Sequence, residues 1–128
     1  MMKNKTLVLG ASPNPARYSY IAIQLLREND EPIYAVGRRE GEVSGVIIQK
    51  GMPIFDDVET ITLYIGAKNQ PEFYDYILAL EPRRVIFNPG TENPELMEML
   101  RMEGIQYEAA CTLVLLNTGQ YHDKSWNQ

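Results

Sequence analysis

The chain has 128 residues, of which 45% are hydrophobic and 23% are charged, and its formal net charge is −5. These values are typical of one folded domain of ordinary size, and the acidic balance argues against a nucleic-acid surface. One cysteine and one histidine are too few for a disulfide framework or a zinc site within the chain. No apolar run approaches the roughly 20 residues that cross a bilayer, and no secretory hydrophobic core is present near the start. We therefore expect a cytoplasmic protein that binds neither nucleic acid nor membrane.

The chain opens with a short apolar run, Thr6 to Leu9, that stops at Gly10 and is followed by small and proline-rich residues. An amphipathic stretch then begins near Tyr18. Strand, tight turn and helix in this order are how mononucleotide-binding folds begin. Gly10 and Ala11 allow close approach of a ligand, Ser12 adds a hydroxyl donor, and the helix directs its free N–H groups to the same place. We expect an anionic, phosphate-bearing ligand here; the alternative is that a small residue simply follows the first strand, as in any α/β protein.

Further elements follow in chain order. A first helix is predicted to about Asn29, with an inward face of residues at helical spacing: Tyr18, Ile21, Ala22, Leu25 and Leu26. A second strand, Ile33 to Val36, ends at Gly37. A glycine-containing loop then leads through residues 46–48 to Pro53–Phe55, a short strand or edge segment.

The middle of the chain contains two more predicted strands and a helix. Thr60 to Ile65 is rich in β-branched residues and is predicted to be a central strand. Asn69 and Glu72 have the form of a capping box, which predicts a helix with an apolar stripe at Phe73, Tyr76, Ile77 and Leu80. Residues 85–87 form a buried strand that ends at Asn88–Gly90.

The last third begins with a well-marked helix. Asn93 as N-cap, Pro94 at the first helical position and Gly104 past the end bracket it, with Leu96, Met99 and Leu100 facing inward. Ile105 to Ala109 is the next strand. Residues 113–116 are a last strand or a packed terminal segment, and the polar tail from Asn117 is expected to be frayed.

Strands that alternate with helices predict an α/β fold of the Rossmann-like, doubly wound type, with a mainly parallel sheet and helices on both faces. We expect a single domain over residues 1–128, with residues 117–128 as the tail. Ligands of such sheets lie across the carboxyl ends of the strands, where the strand order reverses. Four loops are therefore candidates for the site: Gly10 to Arg17, Gly37 to Gly41, Gly66 to Asn69, and Asn88 to Asn93.

The end of the second strand carries information about the ligand. NAD-binding proteins generally have an acidic residue near this point, whereas this chain has Arg38 and Arg39. Guanidinium groups suit a phosphate on the adenosine ribose, as in NADP at the 2′ position or coenzyme A (CoA) at the 3′ position. Alternatively, the two arginines are a solvated surface pair bonded to Glu40 or Glu42.

The segment from Gly10 to Tyr20 resembles the opening signature of the small stand-alone CoA-binding proteins, which are similar to the CoA-binding domain of the succinyl-CoA synthetase α-subunit. The resemblance extends to about residue 112, through Met52–Val58, Pro71–Glu72, Asn88–Thr91 and Ala110–Cys111. The chain departs from the family pattern at Gly37–Arg38, where members commonly have Asn-Pro, and at Leu113–Leu116. The resemblance implies a Rossmann-like domain that binds CoA, a small-molecule nucleotide cofactor.

The resemblance also implies where CoA contacts the chain. It places the diphosphate at Ala11 and Ser12 with Arg17 nearby, and the adenosine end over Gly37 and Arg38. The strand end at Ile65–Gly66 and the turn at Pro89–Gly90 are expected to form further walls. The full set of expected cofactor-binding residues is Gly10, Ala11, Ser12, Pro13, Arg17, Tyr20, Gly37, Arg38, Arg39, Ile65, Gly66, Pro89, Gly90 and Cys111.

Cys111 has two interpretations. It follows a predicted strand and so is expected at the ligand-bearing edge, and the family has a cysteine there that the CoA thiol could approach. The alternative is a small buried hydrophobe, which is what most free cysteines are.

No catalytic residues are expected, because the sequence has no Cys–His or Ser–His–Asp spacing and His122 lies in the polar tail. The carboxylates near the loops are explained as helix caps and first-turn acids: Asp56, Asp57, Glu92 and Glu95. We expect a non-catalytic CoA- or acyl-CoA-binding protein, namely a carrier, a sensor or a partner subunit, with a protein partner or homo-oligomer left open. The alternatives are a small NADP-dependent reductase or redox sensor, and a family member that has lost its ligand.

Overall fold

The computed structural model describes residues 2–122, which form a seven-stranded sheet with helices on both faces. The strands are β1 (Lys5–Leu9), β2 (Ile33–Val36), β3 (Gly41–Val43), β4 (Val46–Gln49), β5 (Val58–Leu63), β6 (Arg84–Phe87) and β7 (Gln106–Ala109). The helices are α1 (Tyr18–Glu28), α2 (Tyr74–Ala79), α3 (Pro94–Met102) and α4 (Thr112–Asn117). None of the helices among these residues is long and apolar enough to span a membrane.

The strand order is β3-β4-β2-β1-β5-β6-β7, and every neighbouring pair is parallel except β3 and β4. From β1 the chain winds first toward β2 and later toward β5, so the order reverses beside β1. The predicted Rossmann-like, doubly wound α/β fold is therefore confirmed. The reversal brings the carboxyl ends of β1, β2 and β5 to adjacent positions, where ligands of such sheets bind.

Successive residues of the central strands enter two separate cores. Leu7 and Leu9 of β1 pack on the face covered by α2 and α3, with Ile77 and Leu96. Val8 packs on the opposite face, which α1 and α4 cover. Burial on both faces explains why these strands are mostly apolar, and several polar residues within them are themselves buried: Thr6, Thr60, Thr62 and Arg84.

The predicted first helix is present, but its buried face differs from the expected one. Its buried residues are Ser19, Ala22, Ile23 and Leu26. Tyr18 is instead 71% exposed and Ile21 36% exposed. Both sets have helical spacing, and the Ser12 N–H, 3.1 Å from the Ser19 hydroxyl oxygen, draws Ser19 against the first turn. This hydrogen bond favours the rotation of α1 that buries Ser19, Ala22, Ile23 and Leu26.

The predicted start of α3 is confirmed, since the Asn93 side chain accepts the N–H groups of Glu95 and Leu96 at 3.1 and 3.3 Å. Residues 113–116, for which two interpretations were open, lie in helix α4. The carboxamide oxygen of Asn88 accepts the Thr112 N–H at 2.9 Å and so caps this helix from 24 residues away. No local sequence pattern could reveal such a cap.

The predicted capping box at Asn69 and Glu72 is wrong. Two 3₁₀ turns, Ala67–Asn69 and Pro71–Phe73, occupy this region, and α2 begins only at Tyr74 without a side-chain cap. The reason is Gln70, which lies between the turns and is completely buried. Its amide donates to the carbonyl oxygens of Ile65 and Thr91, which holds the chain between the two short turns.

The connection from β2 to β5 contains no helix. The chain instead forms a β3–β4 hairpin, in which Ser44 and Gly45 have φ of 50° and 82°, typical of a type I′ turn. Pro53–Phe55 is not a strand, because it belongs to an extended segment that crosses the sheet face from β4 to β5. Phe55 packs there by stacking on Tyr34, with ring centroids 3.9 Å apart.

The expectation of a frayed tail from Asn117 is wrong for residues 117–122. Tyr121 is buried, with its hydroxyl 2.5 Å from the Thr6 hydroxyl and its ring 4.8 Å from the buried Arg84 guanidinium. His122 lies 2.5 Å from a carboxylate oxygen of Glu31. The rest of the predicted tail, residues 123–128, lies outside the described residues.

Replacing Tyr121 with Phe tests this anchor. Burial raises the pKa of Tyr121 from 10.0 to about 12, so folding favours the neutral hydroxyl. The resulting stabilisation is complete below pH 10 and is lost as the pH rises toward 12. We expect Tyr121→Phe to lower the free energy of unfolding by about 1 kcal/mol at pH 7 and to reduce the loss of stability between pH 10 and 12. Urea unfolding followed by circular dichroism measures both, and an unchanged free energy at pH 7 contradicts a stabilising hydroxyl pair.

Candidate functional site

The first turn, between β1 and α1, lies against the loop that follows β5. Gly10 has a φ of 95°, and a Cβ atom at this position would lie 2.8 Å from the Tyr64 backbone and 2.8 Å from the Ile65 side chain. Real Cβ atoms do not approach other atoms so closely. Only glycine therefore allows these two loops to touch.

The loop after β2 contacts the same turn from the other side. A Cβ atom on Gly37 would lie 2.0 Å from the Ala11 carbonyl oxygen, and one on Gly41 would lie 2.8 Å from the Pro13 side chain. Three of the four predicted site loops therefore meet at the carboxyl ends of β1, β2 and β5. Their contacts are made largely by backbone, which leaves the backbone of the turn close to the surface.

Hydrogen bonds within the first turn fix its shape. The Ser12 hydroxyl accepts the Asn14 N–H at 3.1 Å, and the Asn14 side chain accepts the Ala16 N–H at 2.9 Å. The Ser12 N–H is already bonded to Ser19, whereas the Ser12 hydroxyl keeps its own proton for donation. At the start of α1, Arg17 makes no side-chain cap and the first turn holds no acidic residue. This helix end therefore favours an anion.

Arg38 and Arg39 lie exposed beside this turn, next to Gly37. Within residues 2–122 neither arginine forms an ion pair or a hydrogen bond, so the alternative pairing with Glu40 or Glu42 is not present. Other basic residues stand at the same edge of the sheet: Arg17, Lys50 and Lys68. Although the chain is acidic overall, this part of the edge is rich in cationic side chains.

On the β6 side of the edge, the acidic side chains are held by hydrogen bonds within the protein. Pro89 and Gly90 form a turn closed by the Thr91 N–H to the Asn88 carbonyl at 2.9 Å, and Gly90 has a φ of 91°. The nearby acids are engaged within the protein: Glu92 accepts the Gly90 N–H, and Glu95 accepts the Tyr74 hydroxyl proton. A ligand across this edge would meet free positive charge at one end only.

Two other expected site residues, Cys111 and Tyr20, lie beside this region. Asn88 donates to Thr62 and Leu63 and accepts the Thr112 N–H, which fixes the start of α4. Cys111, directly before α4, is consequently held half-buried at the carboxyl edge. Tyr20, in the first turn of α1, packs against the core under that helix.

Two surface cavities, of about 310 and 470 Å³, lie mainly at the opposite, amino edge of the sheet. Neither is lined by any of the expected site residues. At the carboxyl edge, Arg17, Arg38, Gly66 and Gly90 are exposed, as is Pro89. The exposure of these residues makes the candidate site an open shelf formed by loops.

Residues 4–117 match the family model described as a CoA binding domain. The chain belongs to the CoA-binding domain family. This confirms the resemblance that the first turn and the later segments suggested. No match was found among curated proteins.

Solved structures share the fold of this chain. An uncharacterized protein is 48% identical with a TM-score of 0.88, over 94% of this chain and 99% of that chain. A Thermus thermophilus protein is 21% identical with a TM-score of 0.80, covering 92% and 90%. The dinucleotide-forming acetyl-coenzyme A synthetase 1 of Ca. Korarchaeum cryptofilum, solved with phosphate and ADP, is 16% identical with a TM-score of 0.68, covering 85% of this chain and 26% of that chain. The last two likenesses show the fold alone.

The roles of three residues that shape the carboxyl edge of this CoA-binding domain were not predicted from the sequence: Ser19, Gln70 and Asn88. Ser19 follows Ser12 by seven residues, but its role depends on how α1 is rotated. The partners of Gln70 and Asn88 include residues more than 20 positions away in the chain. Only Ser19 left a local signal, as a small polar residue at helical spacing with buried apolar ones.

Replacing Gly37 with Ala tests the close contact between loops. The new Cβ would overlap the Ala11 carbonyl oxygen, and we expect the free energy of unfolding to fall by about 1 to 3 kcal/mol. Gly66→Ala is the matched control, because no atom lies within 4 Å of a Cβ there and φ is −59°. That variant should be unchanged or up to about 1 kcal/mol more stable. Equal stability of the two variants in denaturant unfolding would show that Gly37 is not needed for the contact.

Proposed function

We propose that this CoA-binding domain protein binds CoA or an acyl-CoA across the carboxyl edge of its sheet, without catalysing a reaction on it. The observation that carries the proposal is the contact of Gly37 with Ala11, which brings Arg38 and Arg39 beside the first turn. An anion-favouring helix end and two uncommitted guanidinium groups thereby lie together in a chain of this family.

The distribution of charge supports one orientation of the ligand. CoA carries its diphosphate and 3′-phosphate at the nucleotide end, whereas the pantetheine arm is uncharged. The basic side of the edge, with Arg17 and Arg38, suits the nucleotide end. The Pro89–Gly90 side, where the acids are engaged, suits the neutral arm, whose thiol then lies toward Cys111.

A binding role fits the chemistry of the expected residues better than a catalytic one. They offer backbone groups, one hydroxyl and guanidinium groups, which bind anions, and neither Ser12 nor Cys111 has a histidine partner among them to activate it. A carrier, a sensor or a partner subunit that presents CoA to another protein would each use such a site.

Calorimetric titration of the purified protein with CoA and with NADP tests the proposal. We expect CoA to bind with micromolar affinity and NADP to show no measurable heat, because the first turn follows the pattern of the CoA-binding family. Native mass spectrometry first shows whether a ligand is retained from purification. Binding of NADP without CoA would favour the small reductase or redox sensor, and binding of neither would indicate a member that has lost its ligand.

The two arginines should recognise the ribose phosphate. We expect Arg38→Ala to weaken CoA binding by about 1 to 3 kcal/mol, the range for a charge-assisted hydrogen bond, and hardly to affect dephospho-CoA. Arg83→Ala is the matched control, since Arg83 is also exposed but lies at the amino edge, before β6. Equal weakening of both ligands, or of neither, would mean that Arg38 does not contact the 3′-phosphate.

A further inference from the structure

A buried carboxamide joins the loop after β5 to the loop after β6. The Gln70 side chain is fully buried, and its Nε2 donates to the carbonyl oxygens of Ile65 at 2.8 Å and Thr91 at 2.7 Å. Its Oε1 accepts Asn93 Nδ2 at 2.8 Å. Gln70 therefore makes three hydrogen bonds, two of them to the main chain of separate loops.

The start of α3 fixes the direction of every hydrogen bond in this cluster. The Asn93 oxygen is committed to the Glu95 and Leu96 N–H groups, so its nitrogen must face inward. That nitrogen donates to Gln70 and to the Tyr74 hydroxyl, 2.8 Å away. Gln70 must then present its oxygen to Asn93 and its nitrogen to the two carbonyl groups. A side chain that cannot donate would leave both carbonyls facing an acceptor or a void.

Ile65 connects this cluster to the first turn. The Ile65 carbonyl accepts a hydrogen bond from Gln70, while the Ile65 side chain lies 2.8 Å from where a Cβ on Gly10 would be. On the other side, the Thr91 carbonyl follows directly after the Pro89–Gly90 turn. The Gln70 amide thus sets the separation of the two walls between which the neutral end of the shelf lies.

We propose that Gln70 is a positioning residue for the pantetheine arm, holding Ile65–Gly66 and Pro89–Gly90 at the separation that the arm requires. The inference rests on the proposed function, because it assumes that CoA lies across this edge. Gln70 itself does not touch the ligand, since it is buried. Its effect should therefore appear in the affinity for the arm and not in the affinity for the nucleotide end near Arg38.

Two ligands separate these effects. CoA contains the arm, whereas adenosine 3′,5′-diphosphate carries the ribose 3′-phosphate without the arm. We expect Gln70→Ala to weaken CoA about five- to tenfold and to change adenosine 3′,5′-diphosphate by less than about twofold in calorimetric titrations. Gln70→Glu keeps the volume of the side chain but leaves at most one donor for the two carbonyl groups, and it should show the same selective loss.

The control variant is Tyr121→Phe, which loses a buried hydrogen bond at the amino edge and should leave both affinities unchanged. Equal weakening of both ligands by the Gln70 variants, or unchanged CoA affinity in either folded variant, overturns the positioning role. If the wild-type protein binds neither ligand, the proposed function fails, and the inference fails with it. If the wild-type protein binds both and only the Gln70 variants behave otherwise than expected, the inference alone is overturned.

Discussion

The carbonyl oxygen of Ala11 occupies the space in which a side chain on residue 37 would begin, and the candidate site depends on this contact. Because Gly37 has no side chain, the loops after β1 and β2 pack backbone to backbone. Gly10 allows the same approach toward the loop after β5. Such contacts cannot adjust by changing rotamers, so the floor of the shelf has its shape before any ligand arrives. A preformed floor reduces the ordering that binding requires.

Those parts of the fold whose causes lie within a few residues could be predicted from the sequence. Asn93 and Pro94 mark the start of α3 because a helix cap involves only the next two or three residues. Gly10 marks the first turn for the same reason. The start of α4 could not be predicted, because its cap comes from Asn88, whose neighbourhood in sequence belongs to β6. The β3–β4 hairpin, where only a glycine-containing loop was predicted, has a similar cause, since β4 is held by pairing with β2.

The candidate site was predictable as a set of loops but not as a set of bonds. Parallel strands bring their following loops to one edge, and this is enough to place Gly10, Gly37 and Pro89 near each other. Whether Arg38 pairs with an acid depends on three-dimensional distance. Glu40 and Glu42 are close to Arg38 in the sequence, but neither forms an ion pair with it among the residues that the structure describes. The role of Gln70 could not be predicted for a different reason. A buried amide between two turns has the same sequence appearance as an exposed one.

Thr6 and Tyr121 are separated by 115 positions in the chain, yet their hydroxyl groups meet under the sheet. Strands β1, β5 and β6 precede residue 121 in the chain, so their pairing does not require Tyr121. Without Tyr121 the Arg84 guanidinium lacks its aromatic cover and Thr6 lacks its partner. Closing the chain loop between Thr6 and Tyr121 costs only slightly more conformational entropy than closing a shorter loop. The contact nevertheless requires residue 121 and so cannot form early. The contact between Thr6 and Tyr121 therefore closes the underside of the sheet only when nearly all of the described residues, 2–122, are present.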